Sequence, residues 1–586
     1  MSTALKKDNN LATLNRFVCV STLARLVEDG LTVAALLALG ILPVVELALR
    51  TFFDTGIRGS SAYIQNLTLW VGFLGAIVAS REGRHLNLST GLVNLPSHLR
   101  EVATILAAMV STAVASGLFW ASLQFVRAEM ESPVRIAGWL PIWVVESILP
   151  ASFIIIALRF VWGAGGWGSR ALAFLGIPVA AMTGLFLSPH ASELLWPGIV
   201  VLIGVALVGA PIFVMLGGVA LLLFIADAVP VASIPVEIYR IVVSPSLPTI
   251  PLFTLTGYIL AEGGASQRLV RLFRAIFGWM PGGLAIAATL VCAFFTTFTG
   301  ASGVTILALG GLLLPVLIKN GYLERFSVGL LTSTGSLGLL FPPSLAVILY
   351  GVVAHVPIPD LFKAGIVPGF LLVFAVVIFS VREGLRSKVP RAAFQTREAM
   401  AALWESKWEI LLPIIALVAI FGGFCTLIEA AAITVVYALV VETVIHRELH
   451  ITRDLPRVLL QCVTLIGGVF VILGVAMGLT NYLVDAEVPM KAAEWVQAHI
   501  HSRVLFLLVL NLFLLIVGAL MDIFSAIVVV VPLILPIGQA FGIHPLHLGM
   551  IFLANLELGY GEATPRYGSG LQGADHTQAN AVLRTD

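Results

Sequence analysis

Apolar positions in this chain come in long unbroken runs. Stretches of about 18 residues or more recur from Leu31 to Tyr560, long enough to cross the hydrocarbon of a bilayer as helices. The pattern predicts an all-α polytopic membrane protein, and the runs fall into two blocks. In the first, spans are expected near residues 31–53, 63–80, 102–126 and 138–162, which makes residues 1–165 a four-helix domain. A Gly-rich stretch follows, Gly163 to Leu195, and residues 166–195 read as a connecting segment. Its one apolar part, Ala171 to Leu187, is either a span or a helix lying near the interface. Residues 196–560 form a second, larger domain with roughly ten further apolar segments, and residues 561–586 are a polar tail.

Many segments of the second block are interrupted by Gly, Pro, Ser and Thr, as in "SPSLPTIPLFTLTGYILAEGG", "TSTGSLGLLFPPSLAVILYG" and "MDIFSAIVVVVPLILPIG". In lipid, a broken helix is tolerated only where its freed N–H and C=O groups are buried in protein or line a cavity. Breaks at corresponding places in two halves point to a transporter site built from discontinuous helices. A two-fold repeat is visible in the spacing. Pro315 to Gly321 is a step of six and Gly321 to Gly338 a step of seventeen, and the same steps separate Pro536, Gly542 and Gly559. A proline-bearing break follows each last glycine, "GLLFPPS" in one case and "GYGEATPRYG" in the other.

Composition narrows the chemistry. Hydrophobic residues make up 59% of the 586 and charged residues 11%, with a formal net charge of +1. That balance gives no footprint for nucleic acid. Cys19, Cys292, Cys425 and Cys462 lack paired spacing and read as small hydrophobes. His544 and His547 have no third ligand nearby, so no transition-metal site is expected. No GxxxxGK[ST] loop occurs, which argues against ATP drive within the chain, and no Ser-His-Asp or zinc-helix signature suggests an enzyme. Lys6, Lys7, Arg16 and Arg25 precede the first span, and Arg81, Arg84 and Arg100 lie between the second and third. The positive-inside rule then puts the N-terminus in the cytoplasm. Arg127 and Arg135 lie on the opposite side, in a loop that also holds Glu129 and Glu131.

The candidate site residues lie at the breaks. Around Gly300-Ala301-Ser302-Gly303-Val304-Thr305 one helix can end and another begin, leaving orphan carbonyls on one side and orphan N–H groups on the other. The carbonyl end attracts a desolvated Na⁺ and the N–H end a carboxylate, and the Ser302 and Thr305 hydroxyls complete the coordination. The same composition also suits a close helix-packing surface. A second break runs from Thr332, Ser333, Thr334 and Gly335 to Pro342-Pro343-Ser344, where two prolines remove two donors. In the second half Asp522, in "MDIFSA", is either a functional carboxylate at membrane depth or a helix cap beside Ser525. Glu46 and Arg50, four residues apart on the first span, are expected to pair. Glu429 is expected to cap a helix or bridge two.

These stretches resemble the large membrane subunit of tripartite ATP-independent periplasmic (TRAP) transporters. The likeness is carried by "IPLFTLTGYILAEGGASQRL", "FTTFTGASGVTILALGGLLLPVLIKNGY", "GSLGLLFPPSLAVILYG", "LFKAGIVPGFLL", "GGFCTLIEAAAI" and "MDIFSAIVVVVPLILPIGQAFGIHPLHLGMIF", spread over most of residues 200–560. The first block is similar to the family's small four-helix subunit, through "LTLWVGFLGAIVASREGRHLNL". The chain therefore looks like a fusion of small and large subunits, one fused chain per transporter unit. The resemblance implies a multi-pass protein of the bacterial inner membrane. It implies import of an organic acid delivered by a periplasmic substrate-binding protein, driven by a sodium gradient through an elevator motion. In that scheme inverted repeats with re-entrant hairpins and unwound helices form the site, and the small domain braces the scaffold.

Carried onto this sequence, Gly300, Ser302 and Thr305 lie at the first hairpin tip, and Thr334, Gly335, Pro342, Pro343 and Ser344 on its partner helix. Thr480 and Asn481 lie near the second hairpin tip. Asp522 and the stretch from Gly559 through Thr564 and Pro565 to Gly568 complete that side. The competing readings are a stand-alone sodium-coupled divalent-anion symporter, and, outside transport, a membrane scaffold or membrane enzyme. The tail departs from the family pattern, since Arg566 follows Thr564-Pro565 where a second proline is usual, and no further apolar span follows. Arg at membrane depth costs several kcal/mol unless paired or hydrated. The expectation is a shifted reading frame or an altered gene end, with a genuine variant carrying a flexible tail as the alternative, and a chain ending at Asp586 that inserts but transports poorly.

Overall fold

The computed structural model describes residues 2–85, 97–186, 191–300, 302–387 and 389–562. The expected Thr564, Pro565 and Arg566 features, and the tail, lie outside the described residues. Nine described helices are long and apolar enough to cross a membrane, or ten if one bent pair counts as a span.

The first block is built from α1 (Ser2–Phe53), α2 (Ser60–Glu82), α3 (Ser97–Glu131) and a last span split into α4 (Ile142–Glu146) and α5 (Ile148–Gly163). A two-stranded ribbon, Arg135–Ile136 against Leu140–Pro141, closes the turn before α4. At the other end of these helices Glu28 receives Arg159 at 2.6 Å and Arg81 at 3.3 Å, and Arg81 also meets Asp29 at 2.7 Å. The connecting segment forms two short helices, α6 (Trp167–Phe174) and α7 (Gly176–Phe186), rather than one span. Gly176 sits against α3 so closely that a Cβ there would lie 2.3 Å from the Met109 carbonyl oxygen.

Expectation and structure part at the C-terminal end of α1. Glu46 and Arg50 do not pair with each other. Glu46 accepts the Ile57 N–H at 2.8 Å, and Arg50 reaches Glu429 at 2.8 Å. An intrahelical pair adds only a few tenths of a kcal/mol. Here Glu46 satisfies a backbone donor just past the helix end, and Arg50 neutralises a buried carboxylate. Glu429 meanwhile forms the capping box of its own helix with Thr426.

The second block begins with α8 (Ala191–Leu207), α9 (Ile212–Ala226), α10 (Ser233–Val242), α11 (Thr249–Glu262) and the amphipathic α12 (Ala265–Phe277). A hairpin follows, α13 (Gly283–Thr299) and α14 (Ser302–Lys319), then α15 (Glu324–Thr334) and, past a 3₁₀ turn at Leu337–Leu340, α16 (Leu345–Val353). The long α17 (Ile358–Arg386), the short α18 (Thr396–Glu405), α19 (Lys407–Phe421) and α20 (Leu427–Val440) with a π turn at Val441–Ile445 lead into the second half. That half holds α21 (Leu455–Asp485), α22 (Val488–His499), α23 (Arg503–Leu520), α24 (Ile523–Ala540) and α25 (Pro545–Glu562).

The glycine–proline spacing corresponds to a repeat of structure. Shifting by 221 residues, the interval from Pro315 to Pro536, carries α14 from 302–319 onto 523–540, which are the bounds of α24. The same shift carries the start of α15 onto that of α25, and α13 onto α23 within one residue. Gly321 and Gly542 both take the left-handed conformation, with φ of 93° and 69°, which only glycine adopts without strain. Gly338 packs on α13, where a Cβ would lie 2.3 Å from the Ala293 carbonyl oxygen. Gly559 packs on α23, 2.7 Å from that of Leu515 by the same measure.

The two blocks share one interior, with α2 lying along α21. A Cβ on Gly467 would come within 2.1 Å of the Ala76 nitrogen. Small residues on both helices permit this approach of backbones, the usual way helices associate in lipid.

Candidate functional site at the helix breaks

The first hairpin turns on Gly300, whose φ of 63° ends α13 while its N–H still donates to the Thr296 carbonyl at 2.9 Å. A Cβ at this position would lie 2.2 Å from Leu345 Cγ. The tip therefore touches the first residue of α16, directly after Ser344. That contact brings together the two breaks that lie 45 residues apart in the chain (299 to 344). Gly257 on α11 seals the tip from a third side, since a Cβ there would meet the Thr299 nitrogen at 2.7 Å.

Hydroxyls line this junction. Thr305 Oγ1 lies 2.8 Å from Thr299 Oγ1 and 3.1 Å from Thr296 Oγ1. Thr296 Oγ1 is also 2.9 Å from the Gly335 carbonyl oxygen and 2.8 Å from that of Cys292. One hydroxyl proton cannot serve all three acceptors at once, so this cluster is richer in lone pairs than in donors. Thr334 ends α15 and donates to Leu331 O at 3.3 Å. Gly335 is pressed against Ile306, where a Cβ would lie 2.6 Å from Cγ1. Ser302 opens α14 and is buried.

The break between α15 and α16 bends the pair by 49°. Pro342 and Pro343 supply no N–H there, and the peptide between them is cis. Ser344 is the N-terminal cap residue of α16 and fully buried, yet its hydroxyl has no hydrogen-bond partner among the described residues. Thr332 Oγ1, three residues before Gly335, is equally orphaned. They are two of ten side-chain hydroxyls so placed among the described residues, each carrying a desolvation cost. The oxygen-only donor set, two orphaned hydroxyls and the carbonyl ends of two helices fit a small hard cation such as Na⁺. Among the described residues no group of three His, Cys, Asp or Glu side chains suits a transition metal.

The second half-site has different chemistry. Asp522 caps α24: Oδ2 accepts the N–H groups of Phe524 and Ser525 at 3.0 and 3.1 Å, and Oδ1 accepts the Ser525 hydroxyl at 2.5 Å. Its carboxylate thus holds the tip of α23 and α24 as the backbone of Gly300 holds the first. Gly559 lies inside α25, which stays helical to Glu562. Thr480 and Asn481 do not sit at a break. They lie within the uninterrupted α21, and Thr480 donates to Val528 O at 3.3 Å, six residues past the Asp522 tip. The reason is that "MGLTNYLVD" keeps a helical run with neither Pro nor paired small residues.

Three features escape a reading of sequence alone. Thr296 and Thr299 supply as much of the hydroxyl cluster as Ser302 and Thr305, and the run "TTFTG" is the signal that marks them. Asn555 donates to Asn511 at 2.6 Å, tying α25 to α23. Glu557 is 4% exposed, and neither carboxylate oxygen has a partner among the described residues. An acidic residue inside the apolar run of α25 was its only trace.

Buried helix breaks that converge on a polar junction are the build of a membrane transporter. Residues 199–574 match the family model of the tripartite ATP-independent periplasmic transporter, DctM component, and residues 39–163 match that of the DctQ component. The chain belongs to the TRAP transporter permeases, with the small and large membrane components fused in one polypeptide. It is 30% identical over 526 residues to the isethionate TRAP transporter permease protein DctMQ of Oleidesulfovibrio alaskensis, covering 86% of this chain and 80% of that protein. It is 34% identical over 358 residues to the C4-dicarboxylate TRAP transporter large permease protein DctM of Pseudomonas aeruginosa, covering 61% of this chain and 82% of that one. The ectoine TRAP transporter large permease protein TeaC of Halomonas elongata is 30% identical over 327 residues, covering 55% and 75%.

Proposed function

We propose that the chain imports a small organic acid, handed to it by a periplasmic substrate-binding protein, with the inward sodium gradient as driving force. In this reading the two hairpins carry the substrate as an elevator against a scaffold that includes the first block. The observation that carries it is the junction at Gly300 and Leu345. There a hairpin tip, a broken helix and the orphaned buried hydroxyl of Ser344, next to Leu345, meet with no charge of their own. Such a junction suits a cation that arrives, not one held permanently by a carboxylate. Each positive charge entering along 100 mV supplies about 2.3 kcal/mol, roughly a fiftyfold concentration ratio. The relatives named for isethionate, C4-dicarboxylate and ectoine support a small charged organic substrate without selecting one.

A cytoplasmic N-terminus is part of the same reading, and the ion pairs support it. Arg50 in the last turn of α1 meets Glu429 in the first turn of α20, so these helices run antiparallel. Glu442 at the far end of that span pairs with Arg268 of α12. α12 therefore lies on the face where α1 begins. That face also gathers Arg25, Arg81, Arg84, Arg271 and Arg274, the excess expected in cytoplasm.

The test is thermal unfolding of purified protein in detergent with NaCl, KCl or choline chloride. Sodium should raise the melting temperature and the other salts should not. Ser344→Ala removes an unpartnered hydroxyl, so it should leave the sodium-free protein as stable as before or more so, and yet weaken the sodium response. A variant with an unchanged sodium response would reduce Ser344 to packing.

A further inference from the structure

A cavity lined by both charged and apolar residues lies away from the helix breaks, on the face where α1 begins. It has a volume of about 360 Å³ and opens between α12, α14 and the chain leading into α18, with Arg271, Arg274, Trp279, Leu312, Gln395 and Glu398 on its wall. The wall is fixed in part by a backbone hydrogen bond from Ala392 N–H to Gly278 O at 3.0 Å. Arg271 is paired with Glu405 at 2.5 Å. Arg274 and Glu398 share the cavity, but neither forms an ion pair or side-chain hydrogen bond among the described residues, with each other or with anything else. Glu398 stands in the first turn of α18, where the helix dipole favours its negative charge.

An uncompensated cation and an uncompensated anion on one cavity wall are complementary to a ligand that carries both charges a few ångströms apart. The surroundings say where that ligand comes from. Trp279 on the wall is more than half exposed, as are Phe394, next in sequence to the lining residues Ala393 and Gln395, and Met400 and Trp404 on α18, and Lys407 stacks on Trp404 at 3.7 Å. Exposed Trp and Phe beside basic side chains mark the headgroup level of a bilayer. Leu312 gives the floor an apolar patch for the start of an acyl chain.

We propose that this cavity is a binding site for the headgroup of a zwitterionic aminophospholipid of the phosphatidylethanolamine type. Arg274, with Arg271 behind it, takes the phosphate, and Glu398 takes the ammonium, with the Trp279 ring alongside. A phosphatidylglycerol would satisfy Arg274 equally but offer Glu398 neutral hydroxyls in place of an ammonium, so the site prefers ethanolamine to glycerol headgroups. The lipid would lie between α12 and α14, wedging the amphipathic helix against the first hairpin.

Native mass spectrometry of the whole chain, delipidated and then titrated with phosphatidylethanolamine or phosphatidylglycerol, tests this. The wild type should retain phosphatidylethanolamine at least about tenfold more tightly, the scale of one charge-assisted hydrogen bond. Glu398→Gln should bring the two lipids to parity, and Arg274→Gln should weaken both. Both residues are exposed, so neither change threatens the fold. Phosphatidylglycerol binding as tightly as phosphatidylethanolamine to the wild type would overturn the proposal. So would variants whose lipid retention matches the wild type. Soluble glycerophosphoethanolamine is the remaining arm. If it displaces the lipid at equal concentration, the site serves a free headgroup and the lipid assignment is wrong.

Discussion

At the level of single residues, the hydroxyls around the first hairpin separate packing from binding. Ser302 opens α14 at the buried tip, and Thr305 one turn later is held by Thr296 and Thr299. Replacing Ser302 by Ala removes a potential cation ligand at almost constant volume. The expected result is a lower apparent sodium affinity, by roughly tenfold for one lost oxygen contact, with expression and membrane insertion unchanged. The measurement is sodium-dependent melting compared between the variant and wild type. Equal sodium dependence would leave Ser302 as a small residue that lets the tip pack. The run from Gly300 to Thr305 was readable as a break from its composition. Its partners were not, because Thr296, Leu345 and Gly257 meet it only through folding.

At the level of elements, the break between α15 and α16 and the turn at Gly300 are complementary surfaces. Pro343→Ala restores a donor and lets the helical conformation propagate into residues 341–344. Transport should then fail while the protein still inserts, and unimpaired transport would show that the bend is dispensable. Gly300→Ala adds a Cβ both at positive φ and into Leu345. It should destabilise the protein by at least about 1–2 kcal/mol from backbone strain alone, read as a lower melting temperature. The repeat of the hairpin was legible in the sequence, because Gly and Pro mark turns wherever they stand, whereas the second proline break expected at Thr564-Pro565 lies outside the described residues. The chemistry of the second half was less so. Asp522 left two readings open, and the structure shows it capping α24. Thr480 looked like a tip residue but lies in continuous helix. Glu46 and Arg50 looked like a pair because their spacing is local, whereas Arg50's partner is 379 residues away.

At the level of the whole molecule, one buried cluster ties the amphipathic α12 to the second half. Arg268, 5% exposed, reaches Glu409 at 2.6 Å, Glu442 at 2.7 Å and Glu448 at 2.6 Å, and His446 stands 3.5 Å from Glu409. Arg268→Met would leave carboxylates buried without a cation, a loss of about 3–5 kcal/mol that melting should reveal. Arg274→Gln, two turns along the same helix but exposed, should melt like the wild type. Partial burial works against the charge of Glu448, but its hydrogen bond and charge interaction with Arg268, with the Gly264 N–H, hold its carboxyl below the usual 4.5. A group lowered in the folded state stabilises above its unfolded value and ceases to as pH falls through its folded one. The wild type should therefore lose stability below about pH 4.5, and Glu448→Gln should lose less.

The central claim is that sodium drives uptake through the hairpins, and reconstitution tests it most directly. The chain is placed in liposomes with its periplasmic binding protein loaded with labelled organic acid, and an inward sodium gradient is imposed or omitted. Uptake that requires both the gradient and the binding protein, and that falls with Ser344→Ala, is the predicted result. Uptake of the same rate and extent without a sodium gradient would contradict the account.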